Sequence, residues 1–92
     1  MKYFDWDPDK NEWLKRERNL CFEDFLDAYM EKRVLNIIPH RNKERYKNQR
    51  VFIVAIEKYV YMVPFVEDEK KIFLKTIIPS RKLTRKYLID TP

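Results

Sequence analysis

Glycine is absent from this sequence. It is the residue that enters the left-handed backbone region without steric cost, so its absence leaves Pro, Asn, Asp and Lys to reverse the chain, with positive φ expected mostly at Asn. Cysteine and histidine each occur once, as Cys21 and His40. A single Cys excludes an internal disulfide, and one Cys with one His falls short of a structural zinc site, so neither a metal nor another cofactor is expected. Long apolar runs are missing too, since nothing approaches the ~18 residues of a membrane-spanning helix. The opening MKYFDWD is too acidic and polar for a signal peptide. These absences together predict a soluble, cytoplasmic protein without a membrane partner. The 92 residues suit one domain, 1–92, able to bury roughly 60–65% of its unfolded surface around a single core.

What is abundant is charge, unevenly placed. Residues 1–31 hold nine acidic and five basic side chains, 32–50 one and seven, 51–70 four and two, and 71–92 one and six. The net +5 therefore comes from two basic segments set between acidic ones. A basic surface attracts polyanions, and tyrosines interspersed in it can stack on bases, so RNA leads over DNA or a membrane as the polyanionic partner. A solvated charged surface is the competing reading.

Taken in order, Tyr3, Phe4 and Trp6 suit a short strand that stops at Asp7-Pro8. Asp as N-cap and Pro at the first helical position start a polar helix through DKNEWLKRER, with Trp13 and Leu14 as its apolar contacts and Asn19 as a left-handed end. Phe22, Phe25, Leu26, Tyr29 and Met30 follow at i, i+3, i+4, i+7 and i+8, which predicts a second helix covering the core. Val34 to Ile38 reads as a strand closed by Pro39, and HRNKERYKNQ as a basic loop. VFIVAI (51–56) and YVYMVPFV (59–66) are strand-like runs joined by a tight turn, with Pro64 marking a bulge or an edge. The order predicts an α+β fold: an antiparallel sheet of about four strands, two N-terminal helices on one face and a short C-terminal helix.

The stretch IFLKTIIPSRKLTRKYL (72–88) carries the chemistry. An apolar strand holding Lys75 ends at Pro79. Ser80 offers an N-cap, and Leu83 and Tyr87 continue at helical spacing. Alternation with Phe73 and Ile77 predicts Lys75 on the sheet face away from the two helices. Arg81, Lys82, Arg85 and Lys86 crowd the short helix, so strand end and helix start outline an anion site. Metal-free RNA cleavage needs the 2′-OH activated, the pentacoordinate phosphate stabilised and the leaving 5′ oxygen protonated. Lys75 and Arg81 are placed to share one phosphate, against the plainer reading of an edge lysine and a surface arginine. The acid–base candidates are His40, Tyr46, Tyr87 and Lys75. His40 is the only imidazole, although a lone His after Pro is often an ordinary loop residue. Lys43, Arg45 and Tyr46 of the loop, with Lys82, Arg85 and Tyr87 of the helix, are candidates to bind RNA. Tyr46 equally suits pinning its own loop, and Tyr87 suits the core with its hydroxyl near the site.

The blocks FDWDPDKN (4–11), CFEDFLDAY (21–29), the His40–Tyr46 loop and KTIIPSRKLTRKY (75–87) resemble the BrnT family of bacterial toxins, in the right order over nearly the whole chain. The resemblance implies a RelE-like fold and a type II toxin–antitoxin ribonuclease that cleaves RNA and inhibits translation. It also implies a small cognate antitoxin as partner, with operator DNA bound only through that antitoxin. Family members commonly carry His-Gly where this chain has Arg18-Asn19, and a Ser cap where it has Cys21; both are structural exchanges. On the last strand relatives tend to carry Arg where this chain has Lys75, which keeps the charge and loses the bidentate fork. The competing function from another class is a non-catalytic nucleic-acid or partner-binding protein such as a transcription corepressor. An antitoxin is disfavoured, since neither a DNA-binding module nor a flexible wrapping segment is visible.

Overall fold

A computed structural model describes residues 2–42, 44–45 and 48–89. The chain runs β1 (Tyr3–Trp6), α1 (Pro8–Arg18), α2 (Phe22–Met30), β2 (Val34–Pro39), β3 (Gln49–Ile56), β4 (Tyr59–Glu67), β5 (Lys71–Leu74), β6 (Ile78–Pro79) and α3 (Arg81–Thr84), which continues as a π-helical turn, Arg85–Ile89. The strands form one sheet in the order β1-β5-β4-β3-β2, with β6 pairing β4 beyond the end of β5. The fold is α+β, and the sheet corrects the expectation in two ways. It has six strands, and it is mixed, because β1 lies parallel to β5 while all other pairs are antiparallel. The meander β2 to β5 leaves the outer edge of β5 open, and β1 fills that edge so that Phe4 and Trp6 reach the core. Among the described residues no helix is long and apolar enough to cross a membrane.

Local signals place the helices. The Asp7 side chain accepts the Asp9 N–H at 2.9 Å, Pro8 opens α1, and Asn19 ends it in the left-handed conformation at φ 54°. A polar residue of α1 then fixes the start of α2. Asn11 is buried; its Oδ1 accepts the Phe22 N–H at 2.7 Å and its Nδ2 donates to Glu23 Oε1 at 2.8 Å. That contact satisfies an otherwise orphaned helix N–H. It also holds the Glu23 carboxyl below the usual carboxylate range. Asp24 accepts the Cys21 N–H at 2.9 Å, so α2 is capped largely by carboxylate and amide rather than by sulfur. Phe22 and Phe25 are buried as the periodicity requires, Leu26 is half-buried, Ala28 is buried without belonging to the predicted stripe, and Tyr29 is exposed. Met30, at the open end of α2, is 78% exposed.

Alternation along the strands gives the sheet two apolar faces. Phe52, Val54, Ile56, Val63, Phe65 and Leu74 pack under α1 and α2, and Phe52 stacks on Phe65 with centroids 4.1 Å apart. Val51, Ile53 and Val60 point the other way and meet Leu83 and Tyr87 of the C-terminal helix. Burying one large side chain is worth roughly 1.5–3 kcal/mol, so the larger helix-side cluster supplies most of the apolar stabilisation.

The expected continuous strand from Ile72 to Ile78 is interrupted. Phe65 pairs with Leu74 and Met62 with Ile78, so three steps along β4 face four along the other strand. That extra residue is a β-bulge, and it lies opposite Pro64, whose carbonyl accepts the Lys75 N–H at 2.8 Å. The bulge reverses alternation beyond it. Ile77 therefore joins Leu74 in the helix-side core and does not share a face with Lys75. Arg18, at the end of α1, donates from Nη1 to the Ile77 carbonyl and ties the interrupted strand to the helix layer.

Both edge strands carry a device against pairing with another chain. On β2 the Asn36 Oδ1 accepts the Ile37 N–H at 2.8 Å, and on β1 the Asp5 Oδ1 accepts the Trp6 N–H at 2.9 Å. Each occupies a donor that an added strand would need.

Without glycine, positive φ falls on Asn19, Lys32 (61°) and Glu57 (58°) among the described residues, so the expectation that Asn would supply most such positions is not met. Lys32 follows α2 and donates its N–H to the Tyr29 carbonyl while Arg33 donates to that of Ala28, the paired closure that ordinarily selects Gly. A left-handed L-residue costs about 1–2 kcal/mol, part of which Gly returns through its freer unfolded chain. Lys32→Gly is accordingly expected to stabilise the fold by about 0.5–1 kcal/mol in urea denaturation, with Lys32→Ala giving no such gain. Equal midpoints for the two variants would refute this account of the turn.

Candidate nucleic-acid interface

The sheet face turned away from α1 and α2 is only partly covered. Ser80 Oγ accepts the Leu83 N–H at 3.2 Å and so starts α3, as the sequence predicts. Thr84, which no local sequence pattern marks, locks the helix down. It is buried; its Oγ1 accepts the Val60 N–H at 2.8 Å and donates to the Ser80 carbonyl at 2.7 Å. The helical segment crosses this face toward β2, where the Tyr87 hydroxyl lies 3.5 Å from Asn36 Nδ2. Tyr87 is thus a packing residue with its hydroxyl at the rim.

Beside that covered end the face remains open as a trough of about 400 Å³. Val51, Met62, Pro64 and Ile78 floor it, and Ile38, His40 and Arg41 form one wall. Pairing locates Lys75 relative to it. Ile38 lies opposite Val51, Val51 opposite Pro64, and Pro64 takes the Lys75 N–H. Three inter-strand steps, about 14 Å, therefore separate the backbone of the His40 wall from that of Lys75. Lys75 is exposed, and its Nζ lies 5.7 Å from the Phe73 ring centroid. His40 thus lines the trough, whereas Lys75 lies on the strand next to its floor and is not among the lining residues. Arg41 stands beside His40 in the wall and was missed, because nothing distinguishes it in sequence from the other cations of its loop.

Arg81 follows further along. Ser80 donates to the Val60 carbonyl whereas Lys75 donates to that of Pro64. A four-residue step along β4, about 13 Å, therefore separates the two backbones, and only extended side chains bring Lys75 and Arg81 toward one phosphate. Arg81, Lys82 and Arg85 are exposed. Arg45 is exposed and its N–H donates to Asn42 Oδ1 at 3.1 Å. Lys43 and Tyr46 lie outside the described residues.

His40 is half-buried at the end of β2, and its N–H donates to the Gln49 carbonyl. Its Nδ1 accepts the Asn42 N–H at 3.1 Å. At the end of β4, Glu67 accepts from Lys2 at 2.7 Å and also from Arg50, and the two cations hold its carboxyl below the usual range.

On the helix side of the sheet a second cleft, about 310 Å³, is lined by Arg18, Asp24, Glu57 and Tyr61. Burial pushes the Tyr61 phenol up. Arg18 is already engaged by the Ile77 carbonyl and Asp24 by Cys21, so this cleft is held by the fold's own polar contacts. No group of His, Cys, Asp and Glu able to hold a metal ion occurs among the described residues. No family model, curated protein or solved structure matches the chain.

If Thr84 anchors the helix that bounds the trough, Thr84→Val leaves a buried N–H unpaired and is expected to cost about 1–3 kcal/mol, with Thr84→Ser recovering most of it. Urea denaturation of the three proteins checks this. A valine variant as stable as the parent would mean that the helix is held by Leu83 and Tyr87 alone.

Proposed function

We propose that the protein is a metal-independent endoribonuclease of the RelE-like kind, the toxin of a type II toxin–antitoxin pair that cleaves RNA and inhibits translation. The carrying observation is the open trough with His40 and Arg41 in its wall, and the exposed Lys75 on the strand next to its floor. The resemblance of the 4–11, 21–29 and 75–87 blocks to BrnT toxins supports the same reading. A single-stranded RNA laid in the trough puts a phosphate between cations drawn from the two basic segments.

In this reading the 2′ oxygen attacks phosphorus, its proton passes to water, and the bond to the 5′ oxygen breaks to leave a 2′,3′-cyclic phosphate and a 5′ hydroxyl. The Lys75 ammonium protonates the leaving oxygen. His40 donates to a non-bridging oxygen, and Arg81 reaches the same phosphate from the start of α3, so charge that develops in the transition state meets fixed donors. Arg45, Lys82 and Arg85 hold the strand on either side. A small antitoxin carrying acidic and apolar side chains is the partner that closes the trough, and operator DNA is bound only through it.

Single-turnover cleavage of a defined RNA tests this. Lys75→Ala and Arg81→Ala are each expected to slow cleavage roughly a hundredfold, whereas Lys86→Ala, farther along the helix, removes one screened charge and changes the rate little. Affinity should fall with salt at a log-log slope near −0.7 for each phosphate neutralised. Equal rates for all three variants would remove the trough as the active centre. Salt-sensitive binding that leaves RNA intact would instead identify a non-catalytic nucleic-acid-binding protein.

A further inference from the structure

Phe73 is an aromatic side chain that the core does not use. It lies on the trough side of the sheet, opposite Val66 on β4 and Asp5 on β1. It is half-buried, yet it belongs to neither hydrophobic cluster of the described residues. Lys71 and Lys75, two residues away on either side, each hold Nζ 5.7 Å from its ring centroid. A separate cleft of about 260 Å³ opens over it, with Val66 and Asn48 at its sides. Two carboxylates, Glu67 and Asp68, also line that cleft. Glu67 is neutralised by Lys2 and Arg50, and Asp68 accepts the N–H groups of Lys70 and Lys71 at 2.8 Å each.

We propose that this cleft is a nucleobase subsite in which Phe73 stacks on a base of single-stranded RNA, one nucleotide from the phosphate held at Lys75. The proposal rests on the ribonuclease reading for the identity of that phosphate, and it names the part of the substrate taken next to it. Phe73 lies two residues along the strand from Lys75, about 7 Å, which matches the step between nucleotides of an extended strand. With Glu67 already paired, Asp68 faces Lys71 across the cleft and leaves no net attraction for a phosphate, whereas a neutral base needs none. The amino edge of a base finds acceptors in Asp68 and in the Asn48 carbonyl oxygen, and its ring finds Phe73. Lys75 couples the two subsites: as its ammonium moves to the phosphate it leaves the aromatic face, and the base takes that face. Stacking of this kind tolerates any base, so the subsite contributes affinity and register ahead of sequence choice.

The test uses the full chain and a non-cleavable 2′-O-methyl RNA carrying one 2-aminopurine, moved through successive positions. Wild type is expected to quench the fluorophore strongly at one position. Phe73→Leu should abolish that quenching and weaken binding on the order of tenfold, and Phe73→Trp should restore both. Circular dichroism should show all three proteins melting alike, since Phe73 lies outside both clusters. Unchanged quenching and affinity in Phe73→Leu overturns the subsite even if the protein cleaves RNA normally. No quenching at any position in the wild type overturns it as well. Position-specific quenching that Phe73→Leu removes, in a protein that does not cleave the unmodified RNA, supports the subsite and defeats the nuclease reading alone.

Discussion

Pro64 removes one N–H from the middle of the central strand, and the way the sheet absorbs that loss decides which side chains of the facing strand enter the core and which are left outside it. The facing strand answers with one extra residue between Leu74 and Ile78, and the Lys75 N–H still finds the Pro64 carbonyl. Because a one-residue slip sends every later side chain to the other face, this bulge lets Leu74 and Ile77 both enter the helix-side core. Lys75, between them, is left on the opposite face. A regular strand could not bury both and still place Lys75 there.

The bulge is held from outside the sheet. Arg18 crosses from the end of α1 to the Ile77 carbonyl, and its aliphatic and cationic body lies against Trp13, with the guanidinium carbon 5.0 Å from a ring centroid. The helix layer thereby fixes the geometry of a strand whose Lys75 faces the other way. On that other side Thr84 and Ser80 fix the last helix, and the pairing of β2 with β3 fixes His40. The trough is what remains uncovered between these three anchors. Its apolar floor gives little for a polyanion to bind, so attraction comes from the banks.

Much of this was legible in the sequence because single residues carried decisive backbone signals. Asp7-Pro8, Asn19, Ser80 and the 22–30 periodicity set their elements correctly. The face assigned to Lys75 was right for its neighbour Phe73 and wrong for Ile77, because alternation assumes an unbroken period and Pro64 signals a bulge without saying which strand carries it. The parallel β1 was not legible, since an aromatic four-residue strand holds no record of its partner. Asn11 and Thr84 were missed for a common reason. Their roles are hydrogen bonds to backbone groups 11 and 24 residues away, and no local pattern marks a distant N–H that needs an acceptor. Arg41 lies in the trough wall through loop geometry alone, and positive φ at Lys32 and Glu57 follows from turn closure overriding residue preference.

The central proposal is that RNA lies on the sheet face turned away from α1 and α2. Photocrosslinking with 4-thiouridine-substituted single-stranded RNA, followed by mass spectrometry of the joined peptides, asks this directly. The account predicts crosslinks concentrated in the segment from Ile38 to Arg50 and in the segment from Lys71 to Ile78, suppressed by rising salt and sparse on α1 and α2. Crosslinks concentrated on α1 and α2, at the cleft around Arg18 and Tyr61, would contradict it.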